Sequence, residues 1–362
     1  MSRVKIAILS SNHGHARAYF DLKDDPLFEL VGMSVKPGYE NVVGLEMFPD
    51  SMKYRTDEEL YAAHPEIEAV IIGSDNKSHM QQMREAVKRG LHIFSMKIPT
   101  FDMDEYREMV EITEKAGVVC QVELEMRYHA PVCRIRELIE SGALGELQSI
   151  NMVNYSHNPV WWRPWQCDPE DSYGKVVPLR DGESRCRGGS LADHPHIWDA
   201  LRYITGTHYD TIFAEISPNP RPTVETEDMI HAIGRMDDGV LFSLDPSYAN
   251  DEHHVPVQID WEKYPRAVEV FLTAVGSKAT VVADLYGKAF YSQRGKDTEY
   301  MSNIIHWADL WNRFMLDFYD AIRHGTRPRV TLRDHYETIC AMNAAYESVT
   351  LGRPVKLTLP PL

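Results

Sequence analysis

The first third of the chain alternates short, wholly apolar runs with stretches of helical periodicity. Residues 3–9 (Arg-Val-Lys-Ile-Ala-Ile-Leu) read as a buried parallel strand, followed by a turn over 10–15 and a helical stretch through Leu22. Residues 28–35 form a second strand and 69–74 a third. A helix over 76–89 stops at Gly90, a strand covers 91–96, a helix covers 103–116 and stops at Gly117, and 118–123 is one more strand. Strands that alternate with helices pair in parallel, with helices on both faces. Ligands of such sheets sit beyond the strands' carboxyl ends.

After about residue 125 the period changes. A helix over 131–141 ends at Gly142, and strand-like segments follow at 148–155, 212–216, 229–236, 240–248, 267–275 and 279–285. Asp238-Gly239, between two of these, is a hairpin signal. The pattern predicts an open, mostly antiparallel sheet, with helices at 307–324 and 332–351 closing the chain. The fold class is therefore α/β followed by α+β, a doubly wound parallel sheet over 1–125 and an open sheet flanked by helices over 126–362. One sheet face is left free to bury against another copy of the chain, as a homodimer or homotetramer.

The segment 187–206 concentrates the candidate chemistry. Its helix starts at Pro195, with Asp193 or His194 as cap, and stops at Gly206; Ile197, Leu201 and Ile204 make one apolar face. His196 lies one turn in, at the positive end of the helix dipole, three residues from both Asp193 and Asp199. Either carboxylate could orient the ring. Gly188 and Gly189 let the backbone pass close to a neighbour. A capped helix start carrying solvated histidines is the plainer reading of the same residues. The irregular stretch 161–187, rich in Trp, Pro, Arg and Asp, is either a binding loop or a loop tied down by its tryptophans.

Composition narrows the partners. A formal net charge of −16 over 362 residues argues against nucleic acid and anionic membrane surfaces. No run approaches the length of a membrane span, and the first residues make a strand, not a signal peptide. Five scattered cysteines, Cys120, Cys133, Cys167, Cys186 and Cys340, read as free thiols of a cytoplasmic protein.

Several stretches, in this order and spacing, resemble the Gfo/Idh/MocA oxidoreductases. They are Ala69-Val-Ile-Ile-Gly-Ser-Asp-Asn76 with His79, Gly90-Leu-His-Ile-Phe-Ser-Met-Lys-Ile-Pro99 and Arg127-Tyr-His-Ala-Pro131. Leu138-Ile-Glu-Ser-Gly-Ala-Leu-Gly-Glu146, Gly188-Gly to Asp199, and Gly352-Arg-Pro-Val355 complete the set. The resemblance implies a Rossmann-like dinucleotide-binding domain over 1–125 and a substrate-binding and oligomerisation domain over 126–362. It also implies hydride transfer between NAD(P) and a secondary alcohol or ketone of a sugar, polyol or sugar derivative.

On that resemblance the cofactor meets Ser10, Ser11, Asn12, His13, Gly14 and His15, then Ser34 and Lys36, and Ser74, Asn76, His79 and Lys97. The glycine-rich turn is altered: Ser10, Asn12 and His15 fill its glycine slots and Gly14 remains. No acid closes the second strand, and Ser34 with Lys36 suits a 2′-phosphate, which favours NADP over NAD. The family's Glu-Lys-Pro becomes Met96-Lys97-Ile98, with the proline displaced to Pro99. Lys97 is the donor to the reacting oxygen and His196 the base, with Asp193 or Asp199 orienting it. Arg127, Tyr155, Trp162, Arg163 and His194 are the candidate substrate contacts. With the glycine turn altered, two other readings stand beside this one. One is a metal-dependent hydrolase or lyase using His13, His15, Asp193, His194 and His196; the other is a catalytically silent sugar-binding protein. The leading reading assigns no metal.

Overall fold

The computed structural model describes residues 2–11, 16–38, 40, 44–157, 176–179, 182, 184–218, 226–250, 268–285, 289–294, 297–302 and 307–362. The N-terminal part runs β1 (Val4–Leu9), a 3-10 helix (Ala16–Asp24), β2 (Phe28–Ser34), β3 (Lys53–Tyr54), α1 (Asp57–Ala63) and β4 (Ala69–Ile72). It continues with α2 (Asn76–Lys88), β5 (His92–Ser95), α3 (Met103–Ala116) and β6 (Cys120–Val122). These strands form one parallel six-stranded sheet in the order β3-β2-β1-β4-β5-β6. Every residue of β4 is buried, as expected of a strand covered on both faces. Each major helix starts on a side-chain cap. Asp75 accepts from Ser78 N (3.2 Å) ahead of α2, and Asp102 from Asp104 N (2.9 Å) ahead of α3, which Gly117 then ends at φ 67°.

The C-terminal part begins with a 3-10 turn (Glu125–Tyr128), α4 (Ala130–Glu140), β7 (Leu147–His157), β8 (Val176–Pro178), β9 (Ser184–Cys186), α5 (Ser190–Asp193) and α6 (Pro195–Thr205). It continues with β10 (Tyr209–Ile216), β11 (Ile230–Met236), β12 (Leu241–Asn250), β13 (Val268–Gly276), β14 (Thr280–Asp284), β15 (Ala289–Arg294) and β16 (Asp297–Ser302). It closes with α7 (Trp307–His324), α8 (Leu332–Leu351) and β17 (Val355–Lys356). The large sheet has nine strands in the order β16-β15-β14-β13-β7-β12-β11-β10-β17. It is mostly antiparallel, and Asp238-Gly239 does turn β11 into β12, with Gly239 at φ 95°. One departure from consecutive pairing is that β7 lies between β12 and β13, parallel to the former. Within the stretch read as irregular, β8 and β9 pair as a small antiparallel ribbon.

Contacts divide the chain into a unit of residues 1–123, 311–336 and 362, and a second of 124–310 and 337–361. Residues 311–336 thus join the first unit, which a single division near 125 does not anticipate. Aromatic packing accounts for it. Phe318 lies edge-on to Phe94 (centroids 5.6 Å) and stacks on Phe28 (6.4 Å), while Trp311 meets Tyr19 (5.4 Å). The backbone adds Val122 N to Val330 O (3.1 Å), and Tyr106 Oη donates to Leu332 O (2.9 Å).

Phe318 is fully buried, so Phe318→Ala should remove about 3–5 kcal/mol from the first unit's stability. A urea midpoint equal to the parent's would contradict this docking.

Candidate active site

In the second unit, α6 lies on the sheet. Trp198 is fully buried against Tyr209 (5.6 Å), whose hydroxyl donates to Trp198 O (2.8 Å). His194 stands at the N-cap position and Pro195 follows, while Asp193 is the last residue of α5. Gly189 permits this start: a Cβ there would lie 2.1 Å from Glu227 O.

His196 is buried, and its Nδ1 lies 2.8 Å from Oε2 of Glu125, which is equally buried. The two atoms are close but not aligned as a hydrogen bond, so the contact sets the ring beside a carboxylate without fixing its tautomer. A carboxylate not expected for it, Glu125 from the 3-10 turn, thus stands against the ring. Asp199 is committed elsewhere. Its Oδ2 and Oδ1 accept from Nε and Nη2 of Arg127, each at 2.6 Å, in a fork that leaves the carboxylate side chain 1% exposed. Arg127 also sits over the Tyr203 ring at 5.4 Å, so its guanidinium is a structural partner of α6 and not the open substrate fork expected. His194 Nε2 lies 2.9 Å from Ser156 Oγ, and its ring meets Tyr248 edge-on.

Tyr155 requires a second correction. Ile150, Met152, Asn154 and Ser156 are buried on one face of β7, the face that meets His194 through Ser156. Strand periodicity places Tyr155 on the opposite face, where its hydroxyl donates to Asp245 Oδ2 (3.0 Å). Trp162 and Arg163 lie outside the described residues.

In the first unit, the turn residues Asn12, His13, Gly14 and His15 also lie outside the described residues. Ser10, in the first glycine slot, adopts φ 52°, a left-handed conformation that costs a serine roughly 1 kcal/mol. Its backbone N donates to Ser34 Oγ (2.8 Å), and Gly73 closes up beneath it, where a Cβ would lie 2.9 Å from Ser10 O. Two buried polar atoms at the strands' carboxyl ends, Ser11 Oγ and Asn76 Oδ1, have no hydrogen-bond partner. Orphaned groups in that position fit a ligand that supplies hydrogen bonds, as a dinucleotide does.

Other expected cofactor contacts are engaged within the protein. Ser74 Oγ donates to Gln82 Oε1 (2.7 Å). His79 is fully buried, with Nδ1 3.0 Å from Ile98 O and Nε2 3.1 Å from Ser74 O. Burial holds its pKa below the ordinary value, against the charge of Asp75, so this ring ties α2 to the strand ends. Ser34 Oγ accepts from Ser10 N and donates to Asp57, and Lys36 Nζ pairs with Asp75 Oδ2 at 2.6 Å. The two groups expected to meet a 2′-phosphate thus have internal partners. Lys97 is buried directly after β5, and the Lys97–Ile98 peptide is cis. Among the described residues no group of three or more His, Cys, Asp or Glu side chains is arranged to hold a metal ion.

Sequence reasoning passed over Glu125, Asp57 and Glu227. Glu125 carried a signal, a carboxylate two residues before Arg127 in a mostly apolar stretch. Glu227 is fully buried; its Oε1 accepts from Tyr346 Oη (2.8 Å) and Leu191 N (3.0 Å), while Oε2 has no partner. It thereby fixes the start of α5, and Tyr346 Oη in turn accepts from Gly188 N (3.1 Å). Burial raises its pKa from 4.5 to about 7, outweighing these hydrogen bonds. A raised carboxyl pKa stabilises the fold below the unfolded value and loses that contribution as pH climbs through the folded value. Between pH 4.5 and 7 the wild type should therefore lose about 3 kcal/mol from this group, and Glu227→Gln should flatten that decline in a pH series of denaturation curves. Parallel curves for parent and variant would contradict the assignment.

Comparison with known proteins bears on both units. The model of the oxidoreductase family with an NAD-binding Rossmann fold matches residues 27–124, and the Gfo/Idh/MocA C-terminal domain matches 132–282. An uncharacterized oxidoreductase of Bacillus subtilis is 24% identical over 302 residues, covering 81% of this chain and 79% of its own. A myo-inositol 2-dehydrogenase of Thermotoga maritima is 23% identical over 302 residues, covering 81% and 80%. The solved structure of an inositol dehydrogenase homolog complexed with NAD+ from Azotobacter vinelandii shares the fold at a TM-score of 0.79. It is 15% identical and covers 98% of this chain and 97% of that one. With both halves matched in order, and with the strand order and helix start described above, the chain belongs to the Gfo/Idh/MocA family of NAD-binding oxidoreductases.

Proposed function

We propose that this protein transfers a hydride between a nicotinamide dinucleotide and a secondary alcohol or ketone of a sugar, polyol or sugar derivative. The observation that carries the reading is the buried His196–Glu125 pair at 2.8 Å, an imidazole set beside a carboxylate at a helix start. The polyol class rests on the named activity of the Thermotoga relative. A bound nicotinamide supplies the hydride acceptor or donor. Ser10, Ser11 and Asn76, with the turn 12–15, would hold its dinucleotide. Nε2 of His196 takes the hydroxyl proton as the alcohol is oxidised, and returns it in reduction. Glu125 stabilises the charge that the ring then carries. The family resemblance assigns Lys97 as donor to the reacting oxygen, and His194 and Asp193, at the same helix start as His196, to the substrate's other hydroxyls.

The open face of the nine-stranded sheet supports self-association. Ile233, Leu241 and Val282 are 46%, 49% and 42% exposed there, beside the exposed His231 and Arg235, a mixed surface that a second copy of the chain would cover. No helix among the described residues is long and apolar enough to cross a membrane, and the described cysteines Cys120, Cys133, Cys186 and Cys340 are free thiols, as a reducing cytoplasm keeps them.

His196→Asn should fold and still bind dinucleotide, yet lose about two to four orders of magnitude in turnover. Glu125→Gln should lose at least about tenfold with its substrate affinity nearly kept, because the charged ring then loses its neighbouring carboxylate. Turnover of His196→Asn within a few-fold of the parent would make the ring a spectator. Light scattering at micromolar concentration should give a dimer or tetramer; a monomer there would remove the open-face interface.

A further inference from the structure

Doubly wound dinucleotide sites usually place an acid at the end of the second strand to accept from the adenosine ribose. Here that position is Ser34, but a carboxylate stands directly against it. Asp57, the first residue of α1, accepts at Oδ1 from Ser34 Oγ and at Oδ2 from Gln82 Nε2 (2.8 Å). The two residues that hold it are anchored in turn. Ser34 Oγ accepts from Ser10 N, while Gln82 reaches Ser10 Oγ (3.2 Å) and accepts from Ser74 Oγ (2.7 Å). The carboxylate is thus fixed to the carboxyl ends of β1, β2 and β4, where the fold receives its ligand.

Exposure and hydrogen-bond capacity say what Asp57 can do there. Ser34 is 2% exposed, whereas Asp57 is part-exposed, so of the two the carboxylate is the more accessible. A carboxylate offers about four acceptor sites, and two are occupied by Ser34 and Gln82. The remainder accept and cannot donate. Ser34 has committed its only proton to Asp57. Lys36 neutralises Asp75, a buried carboxylate that also caps α2 through Ser78 N and Ser78 Oγ. Among the described residues of this network, acceptors therefore outnumber donors. Ribose hydroxyls can donate to such a surface; a 2′-phosphate meets like charge.

We propose that Asp57, held by Ser34 and Gln82, supplies the ribose-binding acid that the second strand lacks, and that it selects NAD over NADP. This rests on the dinucleotide-binding reading above. Burial raises the Asp57 pKa above the ordinary carboxylate value, and its bonds to Ser34 and Gln82 oppose that rise.

The test is equilibrium binding, by calorimetry or by energy transfer from tryptophan to reduced nicotinamide, with NADH and NADPH as probes. The parent should bind NADH at least about tenfold more tightly than NADPH, and Asp57→Asn should narrow that ratio by about tenfold or more. Ser34→Ala, which removes one hydroxyl and leaves the charge, should weaken NADH binding and narrow the ratio less; it keeps the test open if Asp57→Asn does not fold. A parent that binds NADPH as tightly as NADH, or a folded Asp57→Asn with the parental ratio, overturns the assignment alone. Failure to bind either dinucleotide at millimolar concentration overturns the dehydrogenase reading, and this inference with it.

Discussion

The second unit depends on two buried contacts between ionisable groups made by one short turn. Glu125 and Arg127, two residues apart, meet His196 and Asp199, three residues apart on one side of α6. Burying four ionisable groups is costly, and the cost is offset only when each group has a partner in good geometry. The Arg127–Asp199 fork meets that condition with two bonds at 2.6 Å. It also leaves little freedom, because sliding or rotating α6 would strand a charge in a dry interior. The position of the His196 ring is thus set by its neighbour's salt bridge as much as by its own contact.

The first unit meets a related constraint with neutral groups. Without glycines at Ser10 and Asn12, the turn after β1 cannot rely on bare backbone. Ser10, Ser34, Gln82 and Ser74 instead pass hydrogen bonds from strand end to strand end, terminating on the single carboxylate of Asp57. A network of this kind is stabilising only while every member is satisfied. Side chains have taken over work that the usual turn leaves to its peptide groups.

The elements were legible because their periods are strong. Both closing helices begin and end where the apolar period and its stops place them, at Trp307–His324 and Leu332–Leu351. The hairpin at Asp238-Gly239 and the strand-helix alternation up to Val122 are equally local signals. Partner choice was less legible. His196 has acids three residues away on each side, yet Glu125, far away in sequence, stands against its ring, because helix spacing fixes direction but not what the fold brings opposite. Tyr155 shows the same limit: its aromatic ring suits a sugar, but one position of strand parity puts it behind the sheet, away from His194. The replacement of a β2 acid by Asp57 was hidden because α1 itself, only seven residues long, carries too little period to be read.

The aromatic strip of α7 has a consequence for how the protein is made. Phe314 and Phe318 cover Phe94 and Phe28, so the first unit's core is complete only after the helix that carries them has been synthesised. Translation at about 5–20 residues per second takes roughly ten to forty seconds over the intervening 124–310. During that interval the nascent N-terminal sheet has lost the shelter that most domains acquire as soon as they leave the ribosome. The unit that comes first in the chain is completed only near its end, and it cannot be excised as a contiguous module.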